Sequence, residues 1–326
     1  MLSPYHPAPS ECPICKQSAG FSFKENFKSD SSWSLYECGA CAVQFWLPLV
    51  LPQGVTYEEE VAYQGKGEVL TKDHARAIAE GYWNVRQFLQ GPLAADPNTK
   101  GKKLLDIGCG TGEFLFVARE LGYSAYGIDF NRHAVAFARE RLGLEGATVA
   151  DVYEYLSTRP RQYDLITAFE VIEHVPDPGA FLDLARESLA HNGILVISTP
   201  NRDRYWGRID PKVDTWDYPY QHLTRWNPKS LKNFAERRGF VTRAFRRELP
   251  VEWFIGKLKQ AAGIIMGKPR PHDARTVSER VRGGVGFSRY QLIKRVVVAL
   301  CGIPAGVLFL LGFEGIHMYA VFQKKR

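Results

Sequence analysis

Apolar positions fall into two rhythms along this chain. Over residues 101–247, short apolar runs alternate with stretches in which apolar residues recur every three or four positions. Strands alternating with helices in this way build a mostly parallel sheet covered on both faces. The runs predict strands over Lys103–Ile107, Ala125–Ile128, Ala147–Val149, Asp164–Phe169, Ile194–Ser198 and Val241–Arg246. The helical spacing predicts helices over Glu113–Leu121, Arg132–Leu142, Gly179–Ala190 and Pro228–Arg238. A further helix over 70–90 is expected from Ile78, Tyr82, Val85 and Leu89 on one face. A final strand, His317–Gln323, follows an interruption. The expected class is α/β, a Rossmann-like doubly wound sheet.

This pattern divides the chain into a cysteine-bearing module over 1–46, a linker and N-terminal helix over 47–100, a core over 101–247, an insertion over 248–313, and a last core strand over 314–326. In the first part, Cys12-Pro-Ile-Cys15 and Cys38-Gly-Ala-Cys41 form two C-x2-C pairs with 22 residues between them. Four thiolates so arranged suit a tetrahedral, structural zinc ion. A module this small has little other core to hold it. Residues 199–226 read as a long aromatic-rich loop. Its Tyr205, Trp206, Trp216, Tyr218 and Tyr220 form either an acceptor pocket or the core of a lid.

Charge adds an asymmetry. Residues 1–200 carry 17 Lys+Arg against 25 Asp+Glu, a net −8, whereas residues 201–300 carry 22 against 9, a net +13. A basic C-terminal third favours an anionic partner or is simply a solvated face. Within the insertion, Val296–Phe313 runs eighteen residues without a charge. Pro304 and the neighbouring glycines oppose a straight span. The expected behaviour is contact with an anionic membrane surface through 248–313, or packing inside the protein or a dimer. Met1–Ser10 lacks an apolar signal-type stretch, so a cytoplasmic location is expected, peripheral on the inner face of the membrane if the insertion binds lipid.

The strongest chemical signal is LLDIGCGTGEF at Leu104–Phe114. An apolar strand enters a loop with Gly108, Gly110 and Gly112, and a helix follows. Such a loop lets backbone approach a ligand, and the helix N-terminus offers unpaired N–H groups. A dinucleotide fingerprint needs G-x-G-x-x-G, but its third glycine would fall at 113, which is Glu. Asp129, at the end of the next strand in YGIDFN, is placed to take ribose hydroxyls. Asp151 is placed either to meet an adenine or to cap the helix after it.

These segments, with DLITAFEVIEHVPDP and GILVISTPNR, resemble the class I S-adenosylmethionine-dependent methyltransferases, closest to the ubiquinone-biosynthesis O-methyltransferase group. The resemblance spans roughly residues 70–247 and the last strand. It implies a seven-stranded sheet whose last strand is antiparallel, and S-adenosylmethionine as the methyl donor. By resemblance, Asp106, Gly108, Gly110 and Gly112 surround the methionine part, Asp129 holds the ribose, Asp151 lies by the adenine, and Phe130 packs on its face. The CPIC…ECGAC layout before such a core is similar to that of many bacterial two-part methyltransferases.

Transfer to oxygen or carbon also needs a proton removed, and histidine serves near neutral pH. His174 follows the fourth core strand and His222 lies beyond the fifth, both expected at the carboxyl edge of the sheet. Each is either a base or a loop-fixing residue. The acceptor class expected is a small molecule, a sugar or a lipid-linked molecule. The competing reading is a nucleic-acid-binding or nucleic-acid-modifying enzyme. Against it, residues 11–46 hold only Lys16, Lys24 and Lys28 and no arginine, too little charge for a phosphate-gripping ribbon.

Overall fold

The computed structural model describes residues 4–18, 20–28, 32–49, 72–204, 217–219, 222–250, 306–307, 309–310 and 313–325. The N-terminal module is a sheet of β1 (Phe21–Lys28), β2 (Ser32–Cys38) and β3 (Gln44–Leu47), each antiparallel to the next. In the core, three helices come first, α1 (Lys72–Ala79), α2 (Trp83–Leu89) and α3 (Pro92–Ala95). Then follow β4 (Lys103–Ile107), α4 (Glu113–Glu120), β5 (Ser124–Asp129), α5 (Arg132–Leu142), β6 (Ala147–Val149), α6 (Val152–Ser157), β7 (Tyr163–Phe169), α7 (Pro178–Ser188) and β8 (Leu189–Pro200). A two-residue strand β9 (Thr224–Arg225), α8 (Pro228–Arg237), β10 (Phe240–Arg247) and β11 (His317–Lys324) complete the described elements.

Seven strands form one sheet in the order β10-β11-β8-β7-β4-β5-β6. β4 to β8 pair in parallel, and β11 runs antiparallel between β8 and β10. The chain steps outward from β4 to β5 and β6, then returns to β7 on the other side of β4. That reversal opens a crevice at the carboxyl ends of β4, β5 and β7, where open α/β sheets bind ligands. The expected seven-stranded sheet with an antiparallel final strand is what the chain forms.

Local chemistry sets most boundaries. Asn131 accepts from the His133 and Ala134 amides to start α5, and Gly143, left-handed at φ 64°, ends it. Asn227 and Ser230 form a capping box on α8, with Pro228 in the first turn. Three expectations shift. The helix expected over 70–90 breaks at Gly81 and Tyr82, because Tyr82 is extended (ψ 134°) and begins α2 anew. The helix expected to reach Ala190 stops at Ser188. Leu189 turns to the β region, is fully buried, and pairs with Tyr163, so tertiary pairing overrides helical propensity. The loop expected over 199–226 is entered by β8, which runs to Pro200, and contains β9.

The cysteine module is continuous with the core. β3 pairs antiparallel with β9, so the small sheet reads β1-β2-β3-β9. Cys12, Ile14, Tyr36, Val43 and Phe45 lie in the same apolar cluster as Ile166, Ile197, Trp226 and Phe234. Truncating a fully buried side chain such as Phe45 to Ala in such a cluster costs about 3–5 kcal/mol.

The insertion expected over 248–313 lies almost wholly outside the described residues, as does most of the 47–69 linker. The two ends of the insertion are joined: the Gly315 amide donates to the Glu248 carbonyl at 2.8 Å, and the Glu248 amide to the His317 carbonyl at 3.0 Å. No helix among the described residues is long and apolar enough to cross a membrane.

Candidate active site

The glycine loop is built between β4 and α4. The Gly108 and Cys109 amides both donate to the Ile128 carbonyl, at 2.8 and 3.0 Å, tying the loop to the end of β5. Gly108, Gly110 and Gly112 all have positive φ, at 70°, 51° and 85°. At Gly112 an added Cβ would sit 2.6 Å from a Leu144 methyl and 2.9 Å from the Ala138 Cβ, so the residue also lets α4 pack on α5. Gly112 starts α4 with no side-chain cap, leaving first-turn amides to meet a ligand.

Acids crowd this loop. Asp129 accepts from the Gly110 amide through Oδ2 and from the Asn131 amide through Oδ1, both at 2.8 Å. Burial pushes its pKa up while those amides pull it down. Asp106 is 3% exposed and takes the Thr167 hydroxyl at 2.6 Å. Burial, with the charges of Asp129 and Glu113 adding to it, pushes its carboxyl up to about 7 against the Thr167 bond. Glu113 accepts from the Thr111 hydroxyl through Oε2, while its Oε1 is buried with no hydrogen-bond partner among the described residues. Acids held this way, with an unanswered carboxylate oxygen, suit a ligand that brings positive charge and hydroxyl donors. Phe130, 55% exposed, follows Asp129 at the rim. Asp151 caps α6, accepting from the Tyr153 and Glu154 amides at 2.9 and 3.0 Å, the second of its two expected roles.

Next to this crevice, β7 is followed by Glu170, a non-glycine residue at φ 55°, strained backbone of the kind that gathers at functional sites. Glu170 takes the Ser198 hydroxyl at 2.7 Å and lies 3.5 Å from His317 Nδ1. Burial opposes its charge, but His317 and Ser198 bring its pKa down, and Glu170 in turn raises that of His317. Glu173, 1% exposed, goes the other way. Burial, then the charge of Glu170, pushes it well up. Its Oε2 takes the Thr199 hydroxyl at 2.9 Å, and its Oε1, 3.9 Å from His174 Nε2, has no hydrogen bond among the described residues. Two nearby carboxyls pushed apart are typical of a site that handles protons.

The two sequence-expected histidines meet here. The rings of His174 and His222 lie 4.8 Å apart, edge to face. Donor atoms of Glu173, His174 and His222 all fall within 4.8 Å of one another, a group that could hold a metal ion. His222 Nδ1 is 3.1 Å from Asp217 Oδ1, and Asp217 Oδ2 pairs with Arg204 at 2.9 Å and Arg225 at 3.3 Å. Burial would raise the Asp217 pKa, but His222 and the two arginines hold it far below the usual carboxylate range. Glu170, Glu173, Asp217 and His317 carried no expectation. The two glutamates stood within the resembling DLITAFEVIEHVPDP segment without an assigned role. Asp217 and His317 show no local signal, since only the closed sheet brings them in. Of the five loop aromatics, Tyr218 alone lies among the described residues. It stacks on Phe27 at 4.8 Å and packs on Trp46, so it belongs to a packed wall.

In the module, the four Sγ atoms of Cys12, Cys15, Cys38 and Cys41 lie within 4.8 Å of one another, with Cys12–Cys41 and Cys15–Cys38 both at 3.9 Å. A tetrahedron with Zn–S bonds of about 2.3 Å has edges of roughly 3.8 Å. Amides of Cys15 and Ala40 point at the Cys12 and Cys38 sulfurs, at 3.5 and 3.3 Å. The donor set and spacing fit structural zinc.

Residues 84–244 match the family described as "Methyltransferase domain". Over that span the chain is similar to that family. Its relatives include the ubiquinone biosynthesis O-methyltransferases of Psychrobacter arcticus, 34% identical over 117 residues, and Cereibacter sphaeroides, 35% identical over 153 residues. These matches cover 33% and 46% of this chain, and 45% and 58% of the relatives. The chain thus spans about half the length of the curated relatives it matches. Among solved structures, phosphoethanolamine N-methyltransferase 2 of Haemonchus contortus, in complex with S-adenosyl-L-methionine, superposes with a TM-score of 0.54. That match is 16% identical and covers 94% of this chain and 71% of the other, which speaks for the fold. The methyltransferase core carries both the glycine loop and the Glu170–His174 segment within the family match. The cysteine module lies before it.

Proposed function

We infer that this chain transfers a methyl group from S-adenosylmethionine to an oxygen, or an activated carbon, of a small-molecule, sugar or lipid-linked acceptor. The observation that carries this reading is the acid-lined glycine loop at the sheet's switch point, with Asp129 closing on Gly110. Asp106, Gly108, Gly110 and Gly112 would hold the methionine part, Asp129 the ribose, and Phe130 and the Asp151 oxygen left over from the α6 cap the adenine side. When bound, the donor supplies an electrophilic methyl on a sulfonium. The positive charge of that sulfonium and of its amino group suits Asp106, Asp129 and Glu113.

The chain's own work is positioning and proton handling. His222 and His174, whose rings meet at 4.8 Å beside Glu173, would face the acceptor, and one of them would take its proton. Glu173, whose pKa burial pushes up, and Glu170, whose pKa His317 brings down against its burial, shape the field around that proton. The ubiquinone-biosynthesis relatives favour a small-molecule oxygen acceptor, and a membrane-facing insertion would suit an apolar one. The cysteine module's edge strand is taken up by β9, which leaves less of the module to grip nucleic acid.

The test pairs calorimetry of S-adenosylmethionine with methyl-labelled transfer into whole-cell lipid and polar extracts. Binding, with label recovered in an extractable small molecule, is expected. Absence of binding would overturn the assignment, and label only in nucleic acid would replace the acceptor class.

A further inference from the structure

The cysteine module reaches the His222 segment at four places. β3 pairs with β9 two residues after His222, matching Gln44 with Arg225 and Phe45 with Thr224. The Trp46 amide donates to the Leu223 carbonyl at 3.0 Å, while the Leu223 amide donates across to Glu173 at 2.8 Å. The Trp46 indole N–H donates to the Asp217 carbonyl at 3.2 Å, in a buried setting. Arg225 bridges, with one end on Glu25 of β1 at 3.1 Å and the other on Asp217. Around these bonds Trp33, Leu35 and Trp46 pack with Phe27 and Tyr218 as one apolar cluster.

Asp217 is 4% exposed and keeps its charge against two arginines. A carboxylate can only accept, so the His222 Nδ1 it faces must carry the hydrogen. The ring is thereby left with Nε2 as its one acceptor. A histidine's second nitrogen decides in this way which face of the ring does chemistry. We propose that the cysteine module is a structural arm of the active site: its edge strand and Glu25 hold Asp217 and the 223–225 segment so that Asp217, a positioning residue, fixes the tautomer and direction of His222. This rests on His222 being an active-site residue. It gives the cysteine module a role in orienting the machinery.

The test reads the ring itself. Full-length protein labelled with 15N-histidine gives long-range 1H–15N spectra, with the His222 signals assigned by His222→Gln. The wild type is expected to show one fixed tautomer, protonated at Nδ1 and bare at Nε2. Asp217→Asn and Trp46→Phe should each shift both nitrogens toward averaged values of exchanging tautomers, and S-adenosylmethionine should still bind each variant by calorimetry. Trp46→Phe removes the indole N–H and part of a fully buried ring while keeping an aromatic side chain in place, so it carries the test if Asp217→Asn does not fold. A His222 signal that stays Nδ1-protonated in Asp217→Asn, or unchanged in Trp46→Phe, overturns the proposal. A wild type that binds no S-adenosylmethionine would sink the functional reading while leaving the ring result standing.

Discussion

Asp129→Ala probes the proposed cofactor pocket most directly, because this carboxylate holds the glycine loop and, on the proposed reading, would also take the ribose. It already accepts two backbone amides, Gly110 and Asn131, each at 2.8 Å. A hydrogen bond to a charged acceptor is worth about 1.5–3 kcal/mol, so the gross loss to the loop is roughly 3–6 kcal/mol. Part of this returns, since burial raises the Asp129 pKa and its removal lifts that cost. A net destabilisation of about 1–3 kcal/mol is expected, seen as an earlier midpoint in urea. The second job is the ribose diol, whose loss is worth a further 1.5–3 kcal/mol, or roughly 10- to 150-fold in Kd. Calorimetry at a temperature where the variant is fully folded separates the two. Asp129→Asn sharpens the comparison. It keeps one oxygen for the Asn131 amide but turns an NH2 on Gly110, so the loop should loosen even where ribose contact partly survives. Unchanged affinity in Asp129→Ala, together with an unchanged urea midpoint, would refute both roles.

Purified protein should carry about one zinc per chain on Cys12, Cys15, Cys38 and Cys41; elemental analysis showing none, with no uptake on reconstitution, would remove that site. Replacing whichever of His174 and His222 is the base should lower turnover about 10²–10⁴-fold while S-adenosylmethionine still binds; near-native turnover in both single variants would mean the acceptor ionises without them. Asp106 gives a pH test. Its folded pKa is raised to about 7 by burial, whereas an unfolded Asp ionises near 3.9. Stability should therefore be fully present below about pH 4 and fall as pH rises toward 7, by up to roughly 4 kcal/mol, because the folded chain keeps a proton that the unfolded chain has lost. Asp106→Asn should flatten that slope in denaturant titrations, and an unaltered slope would contradict the assignment. Finally, wild type should float with phosphatidylglycerol liposomes at low salt, and a variant with Leu308→Ser, Phe309→Ser and Leu311→Ser should not; wild type that stays at the bottom would place the apolar run inside the protein.

The helix–strand alternation, the glycine loop and the two Cys-x-x-Cys pairs were legible in the sequence because each is a local code. Strand periods, left-handed turns at Gly108, Gly110 and Gly112, and thiol spacing depend on neighbours a few residues apart. The Asn131 cap on α5 and the capping box of α8 rest on contacts just as local. Other features depended on which strands meet. Leu189 ends a helix early because β7 offers a partner at Tyr163, and no local propensity announces that. Glu170 meets His317 only because β11 inserts beside β8. The module's union with the core was equally hidden, since β9 is two residues long and has no strand signal without β3 to pair with. Hence the sequence by itself determined the fold class and the cofactor loop. Tertiary structure decided which acids and histidines share a site and what holds His222 in place, because hydrogen bonds and charges act through space between segments far apart in the chain.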